Sequence, residues 1–149
     1  MKGALERALS LRLRPGQDLR ASLERLSRVR RLRAGIVLSA VGSLEDPCIR
    51  FAGAQRAVSL AGRFEIVALS GTLCRSGAHL HVALAGADGQ VVGGHVANGC
   101  RVYTTAEIVV AELPAVAFAR RFDAQTGYRE LNIIRRWRYG EAALKPRSE

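Results

Sequence analysis

The stretch GAHLHVALAGADGQVVGGHV, residues 77–96, reads as a β-hairpin that carries all three of the chain's histidines. Successive side chains of a strand point to opposite faces, so His79 and His81 share one face. The turn is Ala87-Asp88-Gly89, a three-residue loop whose last residue suits the left-handed conformation. Such a loop pairs Gly86 with Gln90, which sets His81 across from His95 and His79 across from Ala97. Directly opposed residues have Cβ atoms ~4.5–5.5 Å apart, close enough for two imidazoles to converge on one ion. The same register collects Leu80, Val82, Leu84, Val92 and Val96 on the other face, a sensible core surface. A slip of one residue would send His95 among them, so the apolar pattern itself selects the register. The small residues Ala83, Gly93 and Ala97 lie beside the histidines and leave space for an ion.

Three neutral imidazoles suit a divalent metal ion, zinc first, with copper, nickel or iron as other options. Three protein ligands leave one coordination position open, as in catalytic zinc sites. Glu65 and Glu107 are candidate fourth ligands or partners of the ligands. The competing reading makes the histidines ordinary polar residues of a solvated sheet face, and the carboxylates surface or edge-strand groups.

Outward from the hairpin, the chain reads mostly as strands. Leu11 and Leu13 alternate with Arg12 and Arg14, a short opening strand that Pro15-Gly16 ends. Asp18 is the N-cap of the one expected helix, residues 18 to 33, with Leu19, Leu23, Leu26 and Val29 on one face. AGIVLSAVGSL, from Ala34, is a near-continuous apolar run, as expected of a strand buried on both faces. CIRFA and RAVSL are short strands, GRFEIVALSGTL is a longer one, and CRVYTTAEIVVAEL is a β-branched run that Pro114 closes. Several strands at short intervals with one helix predict an α+β domain on a largely antiparallel sheet. RRWRYGEAALKPRSE reads as a basic tail, which gives a domain at 1–134 and a tail at 135–149.

The 149 residues suffice for one domain with a real core. The start, MKGALERALSLRLRPG, is charged too early for a secretory signal, and no apolar stretch is long enough to cross a bilayer. The expectation is a soluble, cytoplasmic chain with no membrane partner. Cys48, Cys74 and Cys100 are odd in number and form no CxxC pair, which predicts reduced, partly buried thiols. The net charge is +10, and 21 of the 23 basic residues are arginine. That field favours acidic partners, nucleic acid foremost. Arg20, Arg25, Arg28, Arg30 and Arg31 of the helix, with Arg135, Arg136 and Arg138 of the tail, are the candidate phosphate contacts. Trp137 and Tyr139 interleave with the tail charges and could stack on bases.

Taken in order, GRFEIVALSGTL, then GAHLHVALAGADGQVVGGHVANGCRVYTTAEIVV, then RRFDAQTGYRELNI resemble the PPC (plant and prokaryote conserved) domain over residues 10 to 134. The resemblance implies a single helix packed on a curved, mostly antiparallel sheet, and assembly as a homotrimer. It implies that His79, His81 and His95 are the family's metal unit. It also implies that Gly62, Arg63, Phe64, Glu65, Ile66 and Val67 form the stretch that plant members use to contact partner factors. In those members the domain accompanies an AT-hook that holds DNA in the minor groove, and this chain has no R-G-R-P core. The first functional expectation is therefore a trimeric, metal-containing regulatory protein associated with DNA. The alternative is a zinc-dependent enzyme, of lyase or hydrolase type, acting on a small oxygenated substrate. This rests on a fold resemblance to zinc-dependent acetolactate decarboxylase, with Arg63 or Arg101 to hold a carboxylate and Glu65 or Glu107 to move protons. A third expectation is a plain assembly module that buries the Phe64 strand between chains.

Overall fold

The computed structural model describes residues 7–135. Its strands are β1 (Ala8–Leu13), β2 (Gly35–Glu45), β3 (Cys48–Arg50), β4 (Val58–Ser59), β5 (Arg63–Cys74), β6 (Gly77–Ala85), β7 (Val91–Val96), β8 (Arg101–Glu112), β9 (Val116–Phe122) and β10 (Arg129–Arg135), with one helix, α1 (Leu19–Val29). Eight strands form an open sheet in the order β1-β8-β2-β5-β6-β7-β3-β4, and every ladder in it is antiparallel. The α+β reading therefore holds. No helix of the described residues is long and apolar enough to cross a membrane.

The core forms where the helix meets the sheet. Leu19 and Leu23 of α1 pack with Leu73, Leu80, Leu84 and Ile108, all buried. Burial of one such side chain contributes roughly 1.5–3 kcal/mol. Asp18 caps α1 as its sequence position demands: Oδ1 accepts from Ala21 N–H at 2.8 Å, and Oδ2 accepts from Gly99 N–H at 2.6 Å. One carboxylate thus starts the helix and ties it to the segment before β8.

The helix is shorter than the expected 18 to 33. Arg31 adopts φ 53, its N–H donates to Arg28 O, and Leu32 N–H donates to Ser27 O. This pair of reversed bonds is a Schellman termination, with an arginine where glycine is usual. It rotates Leu32 into the core and leaves Val29 69% exposed, off the buried face to which its spacing assigned it. Arg31→Gly should relieve the left-handed strain of about 1–2 kcal/mol, less the backbone entropy glycine adds to the unfolded chain. The expected gain is about 0.5–1 kcal/mol. Urea denaturation checks it, and an unchanged or lower midpoint would contradict the reading.

Strand β2 also departs from expectation. It is not buried on both faces: Leu38 and Val41 are exposed, and the ladder to β8 shifts register between Val37 and Ser39 and again between Gly42 and Leu44. Among the described residues no second layer covers that face, because their one helix lies on the other. The hairpin β9–β10, turned at Asp123–Tyr128, is an element that the sequence reading does not anticipate. Arg135, assigned to the tail, is the last residue of β10. The thiols are free, with Cys74 and Cys100 buried. Burial pushes the Cys100 thiol up to about 12, and it donates to Cys48 O instead of ionising.

Candidate metal centre

The hairpin turns as its sequence dictates. Gly86 N–H donates to Gln90 O, Gly89 takes φ 77, and the pairs run from Ala85–Val91 to His81–His95. Beneath lie Leu80, Val82, Leu84 and Val96, all buried. The third histidine is reached differently from expectation. His79 has no partner in β7, because the ladder stops at His81–His95 and Ala97 N–H donates to Cys48 O of the next strand. The split between β6 and β7 is filled by Arg20. Its guanidinium donates to Ala78 O at 3.3 Å and to Val96 O at 2.7 Å, the carbonyls of the two parting strands. It also meets His95 Nε2 at 3.2 Å and Glu24 Oε1 at 3.1 Å.

The three rings nevertheless converge. Their centroids are 5.0 Å (His79–His81), 5.1 Å (His79–His95) and 5.7 Å (His81–His95) apart, and one nitrogen from each falls within 4.8 Å of the others. Nε2 of His79 stands 3.2 Å from Nε2 of His81. Two nitrogens at zinc–nitrogen distances of about 2.0–2.1 Å in tetrahedral geometry are about 3.3 Å apart, so this edge fits. On His95, Nδ1 is buried and hydrogen-bonds nothing. An unpaired buried nitrogen is a costly feature in a chain with no ligand for it. A neutral imidazole has one lone pair in its plane, and Arg20 now takes that of His95 at Nε2. Metal ligation by His95 would require this contact to loosen, while the two carbonyl bonds could still hold Arg20.

The electrostatics favour the neutral form of His79 and His95, the form a metal needs. Burial first, and then the Arg20 guanidinium, hold His95 down at about 4. Burial and Arg120 lower His79 as well. For His95 the sign is clear: the folded chain resists a proton that the unfolded chain takes up at the ordinary value of 6.5. Its contribution to stability is therefore present above pH 6.5 and is lost as pH falls toward 4. In the metal-free chain, the His95 ring signals should titrate by NMR near pH 4, and the thermal midpoint should drop across that window. A His95 midpoint near 6.5 would contradict this geometry.

The expected carboxylates are not at the cluster. Glu65 is exposed and pairs with Ala85, four residues along β6 from His81, or about 13 Å. Glu107 is exposed on β8, and β2 and β5 stand between β8 and β6. Arg63 lies over the Tyr103 ring at 4.1 Å and pairs with Glu45 at 3.7 Å, while Arg101 begins β8. The residues that do face the rings come from two other places. Ser70 and Thr72 of β5 are the cross-strand partners of His81 and His79. Arg120 of β9 donates to Thr72 Oγ1, and with Glu130 of β10 it lines a 310 Å³ cavity beside His79 and His81. Ser70 and Thr72 alternate visibly in GRFEIVALSGTL and could have been found from it. Arg120 and Glu130 carry no local signal.

The 62–67 segment is only half outward-facing. Gly62 is tied to Asp46 by two hydrogen bonds, Phe64 packs against the core and Ile66 is buried. Arg63, Glu65 and Val67 remain exposed. The helix arginines divide too. Arg20 is committed to the strands, Arg28 pairs with Glu24 at 4.0 Å, and Arg25, Arg30 and Arg31 are exposed. Arg135 is exposed at the end of β10; Arg136, Arg138, Trp137 and Tyr139 lie outside the described residues.

Comparison with known proteins places this geometry. Among curated relatives, the bifunctional protein GlmU of a Synechococcus strain is 54% identical over 123 residues, covering 83% of this chain. The chain spans about a fifth of that relative's length. AT-hook motif nuclear-localized protein 20 of Arabidopsis thaliana is 34% identical over 74% of the chain and 41% of its own length. Among solved structures, a hypothetical protein from Salmonella superposes with a TM-score of 0.84 at 43% identity, over 88% of this chain and 95% of its own. A metal-containing protein from Archaeoglobus fulgidus does so with a TM-score of 0.74 at 30% identity, over 86% of this chain and 94% of its own. The family model for the Plants and Prokaryotes Conserved (PCC) domain matches residues 2–114, all three histidines included and the β9–β10 hairpin outside it. The chain belongs to the PCC domain family, the same family that its motifs resemble.

Proposed function

We propose that this chain is a metal-dependent regulatory module that associates with DNA, works as a homotrimer, and holds a divalent ion, zinc first, on His79, His81 and His95. The observation that carries the reading is the convergence of the three rings on one hairpin, with one nitrogen from each within 4.8 Å of the others. The metal content of the Archaeoglobus relative supports the ion, and the AT-hook of the Arabidopsis relatives supports DNA. With no R-G-R-P core in this sequence, DNA would be met by arginines instead. The exposed apolar residues Leu38, Val41 and Val67 support self-association, because each gains by leaving water. Light scattering on the full chain should give three times its 16.1 kDa mass. Retention of duplex DNA should fall steeply between 50 and 200 mM salt, because phosphate contacts release counterions. A monomer, or retention that does not change with salt, would count against the trimer or the DNA reading respectively.

A second reading, a zinc-dependent lyase or hydrolase, is favoured by one observation: a cavity of about 580 Å³ opens beside His79 and His95. Glu130, and not Glu65 or Glu107, lines both this cavity and the smaller one that holds Ser70 and Thr72. Zinc there would polarise a carbonyl or acidify water. The protein's part would be to position a substrate in that cavity.

A further inference from the structure

The larger cavity has a property that neither reading uses. Its wall carries six arginines drawn from five segments: Arg20 and Arg28 of α1, Arg50 of β3, Arg75 of the β5–β6 turn, Arg120 of β9 and Arg129 of β10. Only two carboxylates share that wall, Glu24 and Glu130. Glu24 is taken by Arg20 and Arg28, and Glu130 accepts from Thr126. Among the described residues, Arg50, Arg75, Arg120 and Arg129 make no ion pair. Like charges brought together from separate segments repel, although Arg20 and Arg120 also tie strands together through Val96 O and Thr72 Oγ1. Arg120 adds the sharper sign: its Nε is buried with no acceptor, although the guanidinium is a donor at every nitrogen. An unpaired buried charged donor is expensive, and an oxyanion beside the same guanidinium would offset its charge.

We infer that this cavity binds a small oxyanion of at least two negative charges, its carboxylate or phosphoryl oxygens held by Arg120 with Arg75 and Arg129. At about 580 Å³ the space lies within the range of small-molecule sites. The inference deepens the metal reading, since His79 and His95 line the same cavity and an ion on them would add positive charge there. It does not depend on that ion, because the arginines are in place without it.

The test is calorimetric titration of the full chain, metal-free and zinc-loaded, with inorganic phosphate and with malonate. Saturable one-to-one binding of either probe is expected in the metal-free chain. Arg120→Gln should weaken it at least tenfold, and Arg129→Gln serves as a second variant should the first fail to fold. Arg121→Gln removes the same charge one residue along β9, on the opposite face, and should change affinity less than twofold. Response to phosphate alone would assign a phosphoryl ligand, and response to malonate a carboxylate. Binding that persists when His79, His81 and His95 are all changed to glutamine, with zinc uptake lost, would uphold the anion site and remove only the metal's share in it. No saturable binding in either form would overturn the inference. So would equal losses in Arg120→Gln and Arg121→Gln, or binding of duplex DNA alone, since those point to diffuse surface charge.

Discussion

Replacing Gly71 by alanine should cost the domain about 3 kcal/mol, from steric overlap and left-handed strain together. Gly71 lies in β5 opposite Leu80, with φ 151, and the β6 backbone crosses directly over its Cα. A Cβ at this position would stand 2.0 Å from His79 O and 2.9 Å from Leu80 Cα. Neither obstacle is a side chain that could swing aside; the strand itself must move. It would displace the core residue Leu80 and His79 together, so the same change should also weaken zinc uptake in the fraction that folds. Chemical denaturation of the metal-free chain measures the first effect. A midpoint equal to that of the unchanged protein would mean that β5 and β6 do not approach as described.

The second large effect is expected at His81. Loss of a partner that merely orients a metal ligand costs about 10–100-fold in affinity, and loss of a ligand costs more. His81→Ala should therefore weaken zinc binding by more than about 100-fold, while leaving the fold nearly untouched, because its side chain is exposed. His95→Ala should match it in zinc affinity but should also change stability, since His95 meets Arg20 at the split between β6 and β7. The pair of variants separates a ligand from a ligand that doubles as a structural contact. Competition with a chromophoric chelator reads the affinity. Wild-type affinity in His81→Ala would remove that ring from the site.

How much of this was legible depended on whether the signal was local. The hairpin register followed from period-two alternation and one three-residue turn, and the His81–His95 pair came out as read. Asp18 as N-cap was equally local. His79 was placed on the right face, but not the reason that it stands free of β7. That reason is Arg20, whose reach across the chain to Val96 O leaves no trace in either segment alone. Leu38 and Val41 show the same limit from the other side. An apolar run states that its residues avoid water, yet whether a second layer arrives to cover them is decided by the whole topology. Arg120 and Glu130 were invisible because the hairpin that carries them folds back over β5 from more than forty residues away. The acidic partners chosen from sequence, Glu65 and Glu107, sit on well-predicted strands but too far along or across the sheet to meet the rings.

The most direct measurement is X-ray absorption at the zinc edge on the full chain after loading and desalting. About one zinc per chain is expected, with three imidazole nitrogens at about 2.0–2.1 Å and one nitrogen or oxygen ligand from outside the histidines. A shell containing sulfur, a shell of oxygens alone, or no retained zinc would contradict it.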